Sequence, residues 1–129
     1  MKDKLQHILH WLPLVIYVSL ILFFSTGSVP KEIEKYPDIL LHTCEYMVLG
    51  LFLYYAFVTT FAIEPVKLAF ILTGIGMTVG IMDEIIQSYT PSRFASVKDL
   101  VVDLVALGLS QIILYYFRKN KIWKVPEPK

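Results

Sequence analysis

Six carboxylates and one histidine fall within, or at the ends of, long apolar runs: Asp38, His42, Glu45, Asp83, Glu84, Asp99 and Asp103. Side chains of these types can hold a metal ion, trade a proton as general acid and base, or neutralise one another. At membrane depth a charged group is costly, so it turns toward protein or water and marks a functional site by default. Neither the histidine nor the acids show the spacing of a recognised zinc motif, and oxygen donors suit a hard cation equally well. The sequence therefore assigns no metal and no cofactor. Acid–base chemistry would fall to His42 with Asp83 or Glu84. The plainer alternative is an interhelical network in which Arg93 and His42 neutralise acids and Gln87 satisfies others.

The elements that must position these groups are read from composition. The chain has 129 residues, 56% of them hydrophobic, against roughly 45–50% in ordinary soluble domains. Apolar stretches of about 20 residues recur, the length that crosses the hydrocarbon of a bilayer. A net charge of +1 gives no basic field to recruit nucleic acid. The one cysteine, Cys44, can form no internal disulfide. Lys2 and Lys4 precede an apolar run that is long and lacks a small-x-small cleavage site, so it reads as a membrane span rather than a cleaved signal.

Four spans are expected, over residues 8–24, 39–62, 66–89 and 97–117 of a single domain 1–129. Pro13 lies in the first turns of span one; Pro30, Pro37, Pro65 and Pro91 fall in the joints. Only Ile63, Glu64 and Pro65 separate spans two and three, which predicts an antiparallel hairpin. With four crossings, both termini and the middle loop share one side, which holds eight basic residues: Lys2, Lys4, Lys67, Arg118, Lys119, Lys121, Lys124 and Lys129. The other side holds four: Lys31, Lys35, Arg93 and Lys98. The positive-inside rule then puts both termini, with the basic tail 118–129, in the cytoplasm. Trp11 and Trp123 are expected at the cytoplasmic interface, and the tail after Ile122 is expected to be mobile.

This topology gathers the polar residues on the outer side. Span one ends there with Ser25 and Ser28, span two begins with Asp38, His42 and Glu45, span three ends with Asp83, Glu84 and Gln87, and span four begins with Asp99 and Asp103. Helical periodicity puts His42, Glu45, Tyr46 and Leu49 on one face. Gly76, Gly80, Asp83 and Gln87 make a second stripe, whose GxxxG lets a neighbouring helix approach closely. Asp99, Asp103, Ala106 and Ser110 make a third. Arg93 would pair with the acids or clamp a phosphate. Tyr46, Tyr54 and Tyr55 are expected to pack or to belt the interface.

At these residues the chain resembles the VanZ-like family of small bacterial membrane proteins. One matching block is Ser25 and then Asp38-Ile-Leu-Leu-His42-Thr-Cys-Glu-Tyr46-Met-Val-Leu49. The second is Asp83-Glu84-Ile-Ile-Gln87, Pro91-Ser-Arg93, Ser96 and Asp99-x-x-x-Asp103. Ile39, Asp103 and Ala106 depart from the usual lysine, asparagine and glycine, making this site more acidic than the family pattern. The resemblance implies a multi-pass protein of the bacterial cytoplasmic membrane that affects sensitivity to teicoplanin-type glycopeptides. Its implied partners are membrane lipids and a lipid-linked cell-wall precursor or the glycopeptide itself. The binding set it implies is Ser25, Asp38, His42, Glu45, Tyr46, Asp83, Glu84, Gln87, Arg93, Ser96, Asp99 and Asp103. Two rival expectations stand beside it: an intramembrane enzyme acting on a lipid-linked head group, and a structural helper subunit.

Overall fold

A computed structural model describes residues 2–27, 36–91 and 93–122. Ser28, Pro30, Lys31, Lys35, Trp123 and the tail beyond Ile122 lie outside the described residues. Four helices account for most of the rest: α1 (Lys2–Ser25), α2 (Asp38–Val58), α3 (Pro65–Ser88) and α4 (Val97–Lys119). Each is long and apolar enough to cross a membrane, and there is no strand among the described residues.

Helix ends follow local chemistry. Pro65 opens α3 at its first turn, where a missing N–H costs nothing. Ser96 caps α4, its Oγ accepting from the Asp99 N–H at 3.4 Å. Asp99 in the first turn of α4, and Arg118 with Lys119 in its last, suit the helix dipole. Two expectations need correction. Helix α2 stops at Val58 rather than running to residue 62. The hydroxyls of Thr59 and Thr60 donate to the carbonyls of Tyr55 (2.8 Å) and Ala56 (2.7 Å), offering those groups a competing partner. Helix α1 starts at Lys2, so Pro13 sits in its interior rather than near its start. The Leu9 carbonyl thereby loses its usual donor.

Packing centres on α2. It lies most extensively against α4 and also touches α1 and α3; α3 touches all three other helices, whereas α1 and α4 do not meet. Close approach of α2 and α4 depends on Gly50: a Cβ there would stand 1.9 Å from Ser110 Oγ and 2.8 Å from Ser110 Cβ. Gly76 of α3 plays the same part toward Leu107 of α4, whose side chain would lie 2.6 Å from an added Cβ. The buried core includes Tyr46, Leu49, Leu53, Leu72 and Leu107.

The outer surface is the reverse of a water-soluble bundle. Ile8, Val15, Phe23, Phe70, Ile81 and Ile112 are all exposed. On α3, apolar Met82 and Ile85 point outward while Asp83, Glu84 and Gln87 point inward. An apolar belt of that extent needs lipid or a partner to cover it.

Candidate functional site

The polar stripes of α2, α3 and α4 meet at the end of the bundle where α1 and α3 finish and α2 and α4 begin. Of the first stripe, His42, Tyr46 and Leu49 are buried and Glu45 is half-buried. Gly76, Gly80, Asp83 and Gln87 of α3 are all buried. Asp103, Ala106 and Ser110 of α4 are buried, with Asp99 half-buried.

Asp83 is the hub of the inner half. The Ser25 hydroxyl from α1 donates to its Oδ1, as does Gln87 Nε2 one turn on, at 3.0 Å. The Tyr46 hydroxyl from α2 reaches its Oδ2 at 3.4 Å. Ser25 Oγ also lies 2.7 Å from the Ile21 carbonyl. Thr90, just past α3, donates to the Ser25 backbone carbonyl at 2.9 Å, closing α1 and α3 together. One carboxylate thus gathers donors from three helices, the pairing that a charge at membrane depth requires.

The histidine links α2 to α4. His42 Nδ1 lies 2.9 Å from Asp103 Oδ1, and its ring is parallel to that of Tyr46, with centroids 6.2 Å apart. Space for this pair comes from Gly80: a Cβ there would be 3.2 Å from Asp103 Oδ2 and 3.4 Å from the Tyr46 hydroxyl.

Glu84 is differently placed. Its Oε2 accepts the Ser96 backbone N–H at 2.5 Å, fixing the start of α4. Its Oε1 is buried with no hydrogen-bond partner, although the residue is only 4% exposed. One nitrogen of His42 and one carboxylate oxygen each of Glu84 and Asp99 lie within 4.8 Å of one another. Asp103 Oδ2 is likewise buried without a partner.

The remaining expected residues divide. Glu45 is within electrostatic range of Asp83, His42, Asp103 and Arg93, and its backbone carbonyl accepts from the Tyr17 hydroxyl at 3.1 Å. Asp38 is exposed at the first turn of α2 and joins none of these contacts. Arg93 is half-buried, makes no ion pair with a described carboxylate, and leaves Nε buried without a partner. The expected neutralisation of acids by Arg93 is therefore not made; the short turn after Thr90 holds its backbone, with its N–H on the Thr90 carbonyl at 3.2 Å.

Sequence reasoning missed two contributors, Thr90 and Tyr17. Thr90 acts at the site from the α3–α4 joint, where only long-range pairing reveals it, and Ser96, expected at the site, acts there through its backbone N–H. Tyr17 enters from α1, with no polar pattern around it to draw notice. At the opposite end, Trp11 donates to Thr60 Oγ1 at 2.9 Å and packs on Phe57, so it ties α1 to α2 as well as facing outward. An open apolar groove there, lined by Tyr54, Val66, Phe70, Gly108 and Ile112, lies away from the acids.

No family model, curated protein or solved structure matches this chain.

Proposed function

We propose that this chain is a VanZ-like protein of the bacterial cytoplasmic membrane, with both termini in the cytoplasm. In this reading the acidic end of the bundle faces outward and binds a polar or lipid-linked ligand, lowering sensitivity to teicoplanin-type glycopeptides. One observation carries it: Glu84 is buried, yet holds an oxygen without a partner in a cluster with His42 and half-exposed Asp99. Buried polar atoms are nearly always satisfied, so one that is not calls for a partner such as a water, an ion or a ligand. The eight-to-four distribution of basic residues supports the orientation.

The test compares glycopeptide sensitivity in cells lacking the protein and in cells carrying it, or carrying Arg93→Ala, at matched membrane levels. Protection by the parent chain and its loss in the variant fit the proposal; equal sensitivity of all three cells overturns it. Orientation is tested by single cysteines placed in a Cys44→Ser background. Labelling from outside should reach a cysteine in the loop 91–96 and not one in the tail; the opposite pattern reverses the topology.

A second reading is favoured by the His42–Asp103 pair. A carboxylate on one imidazole nitrogen orients the ring and readies the other nitrogen for proton transfer. In this reading Glu84 or Asp83 is the base and His42 the acid, acting on a lipid-linked head group. Glu84→Gln discriminates: an enzyme loses about 10²–10⁴-fold in rate with its base, whereas a binding site keeps much of its affinity because an amide still donates and accepts.

A further inference from the structure

The outer half of the acidic site is short of positive charge and has donor atoms to spare. Glu84 and Asp103 are buried, each with one oxygen lacking a partner, and Asp99 stands half-buried beside them. His42 pairs with Asp103, while Arg93 makes no ion pair with any of the described acids. A neighbouring cation or a ligand would supply what is missing, because an uncompensated carboxylate at this depth is expensive.

We infer that His42, Glu84 and Asp99 form a binding site for a divalent transition-metal cation, Zn²⁺ or Mn²⁺. Three features specify this chemistry. The three side chains come from α2, α3 and α4 and offer one nitrogen and two oxygens, all within 4.8 Å of one another. Donors bound at 2.0–2.2 Å around one ion stand about 3.5 Å apart, so small side-chain rotations close the set. Glu84 Oε1 is the second, independent sign: a buried oxygen, in a side chain 4% exposed, with nothing to accept from.

The third feature is the support behind the ligands. In the tautomer whose proton is on Nδ1, His42 donates to Asp103 Oδ1 at 2.9 Å and its Nε2 lone pair is left for the cation. A carboxylate in that position fixes ring orientation and raises imidazole basicity, as it does in histidine–metal sites generally. Glu84 is held by the Ser96 N–H through its other oxygen. An imidazole among oxygen donors favours Zn²⁺ or Mn²⁺ over Ca²⁺ or Mg²⁺, and the lack of a thiolate among the donors disfavours Cu⁺. A neutral imidazole and two carboxylates sum to −2, which a divalent ion cancels. Three protein donors leave a position for water or for a phosphate oxygen of the proposed ligand.

This inference rests on reading this end of the bundle as a binding site, and not on the glycopeptide phenotype. The full chain, purified in detergent with Cys44→Ser to remove the thiol, is stripped with EDTA and titrated separately with Zn²⁺ and Mn²⁺. One ion per chain, bound saturably and raising the unfolding temperature, is expected for at least one of the two. Asp99→Asn and His42→Gln should each weaken binding at least about tenfold, and Asp103→Asn, acting through His42, by about 10–100-fold. Glu64→Gln, at the far end of the bundle, should bind as the parent does. If His42→Gln does not fold, half-exposed Asp99 decides alone. Absence of one-per-chain binding for both ions, or equal affinity in Asp99→Asn, overturns the site. Binding by a chain that gives no glycopeptide protection would overturn the envelope role and leave the metal site standing.

Discussion

Around Asp83 the hydrogen bonding is complete: Ser25 and Gln87 serve one oxygen and Tyr46 the other, from three helices. Around its sequence neighbour Glu84 it is not. One oxygen takes the Ser96 N–H, the other takes nothing, and Asp99 nearby is only half-buried. Two adjacent acids on one helix thus centre two unlike regions, one closed and one open. A satisfied buried network rigidifies a bundle. An unsatisfied one retains the capacity to bind. The closed region is accordingly where the stability of this end resides, and the open region is the one with an acceptor to spare.

That contrast predicts a ranking of effects. Asp83→Ala should be the most damaging change, since it strips the Tyr46 and Gln87 donors of their carboxylate, at about 1–3 kcal/mol each, and takes one of the two acceptors of Ser25. Thermal unfolding in detergent, or the amount of protein retained in membranes, reads this directly. A variant as stable as the parent would abolish the closed region as a staple. Ser25→Ala removes one bond to a buried carboxylate and should cost about 1.5–3 kcal/mol by the same measurement. It should loosen α1 first, because α1 never meets α4; increased hydrogen exchange confined to α1 would sharpen the picture.

Changes in the open region should separate stability from activity. Glu84→Gln keeps an acceptor for the Ser96 N–H and should shift stability by no more than about 1 kcal/mol. Loss of protection at unchanged stability means that Glu84 acts through its charge, as base or as cation ligand; full retention removes Glu84 as the base. Arg93→Ala should be the mildest, within about 0.5 kcal/mol, because no ion pair is broken. A large loss of folded protein would mean that Arg93 belongs to the closed region after all.

The four membrane-length helices were legible in the sequence because long apolar runs are hard to satisfy any other way. The inward stripes of α3 and α4 were legible too, since helical periodicity leaves Asp83 and Asp103 no outward option. What failed was set by local competition or distant partners. Residues 59–62 contain no glycine or proline, yet α2 ends at Val58, and Thr59 and Thr60 turn their hydroxyls back onto the carbonyls of Tyr55 and Ala56. Asp38 shares a face of α2 with His42 one turn on, but it lies in the helix's exposed first turn, beyond the packed part of the bundle. The reach of Glu84 to the Ser96 N–H joins two elements across a turn, so no spacing within either helix encodes it.

The tightest pairing in the bundle joins its second and last helices. Of the four helices α4 is the last to leave the ribosome, so a nascent chain that stops short of Ser96 has no Asp103 for His42 and no Ser96 N–H for Glu84. Such a chain can already have crossed the bilayer three times while its costliest side chains wait for partners. Placing the first three helices and completing the polar site are therefore separate steps in the synthesis of this chain.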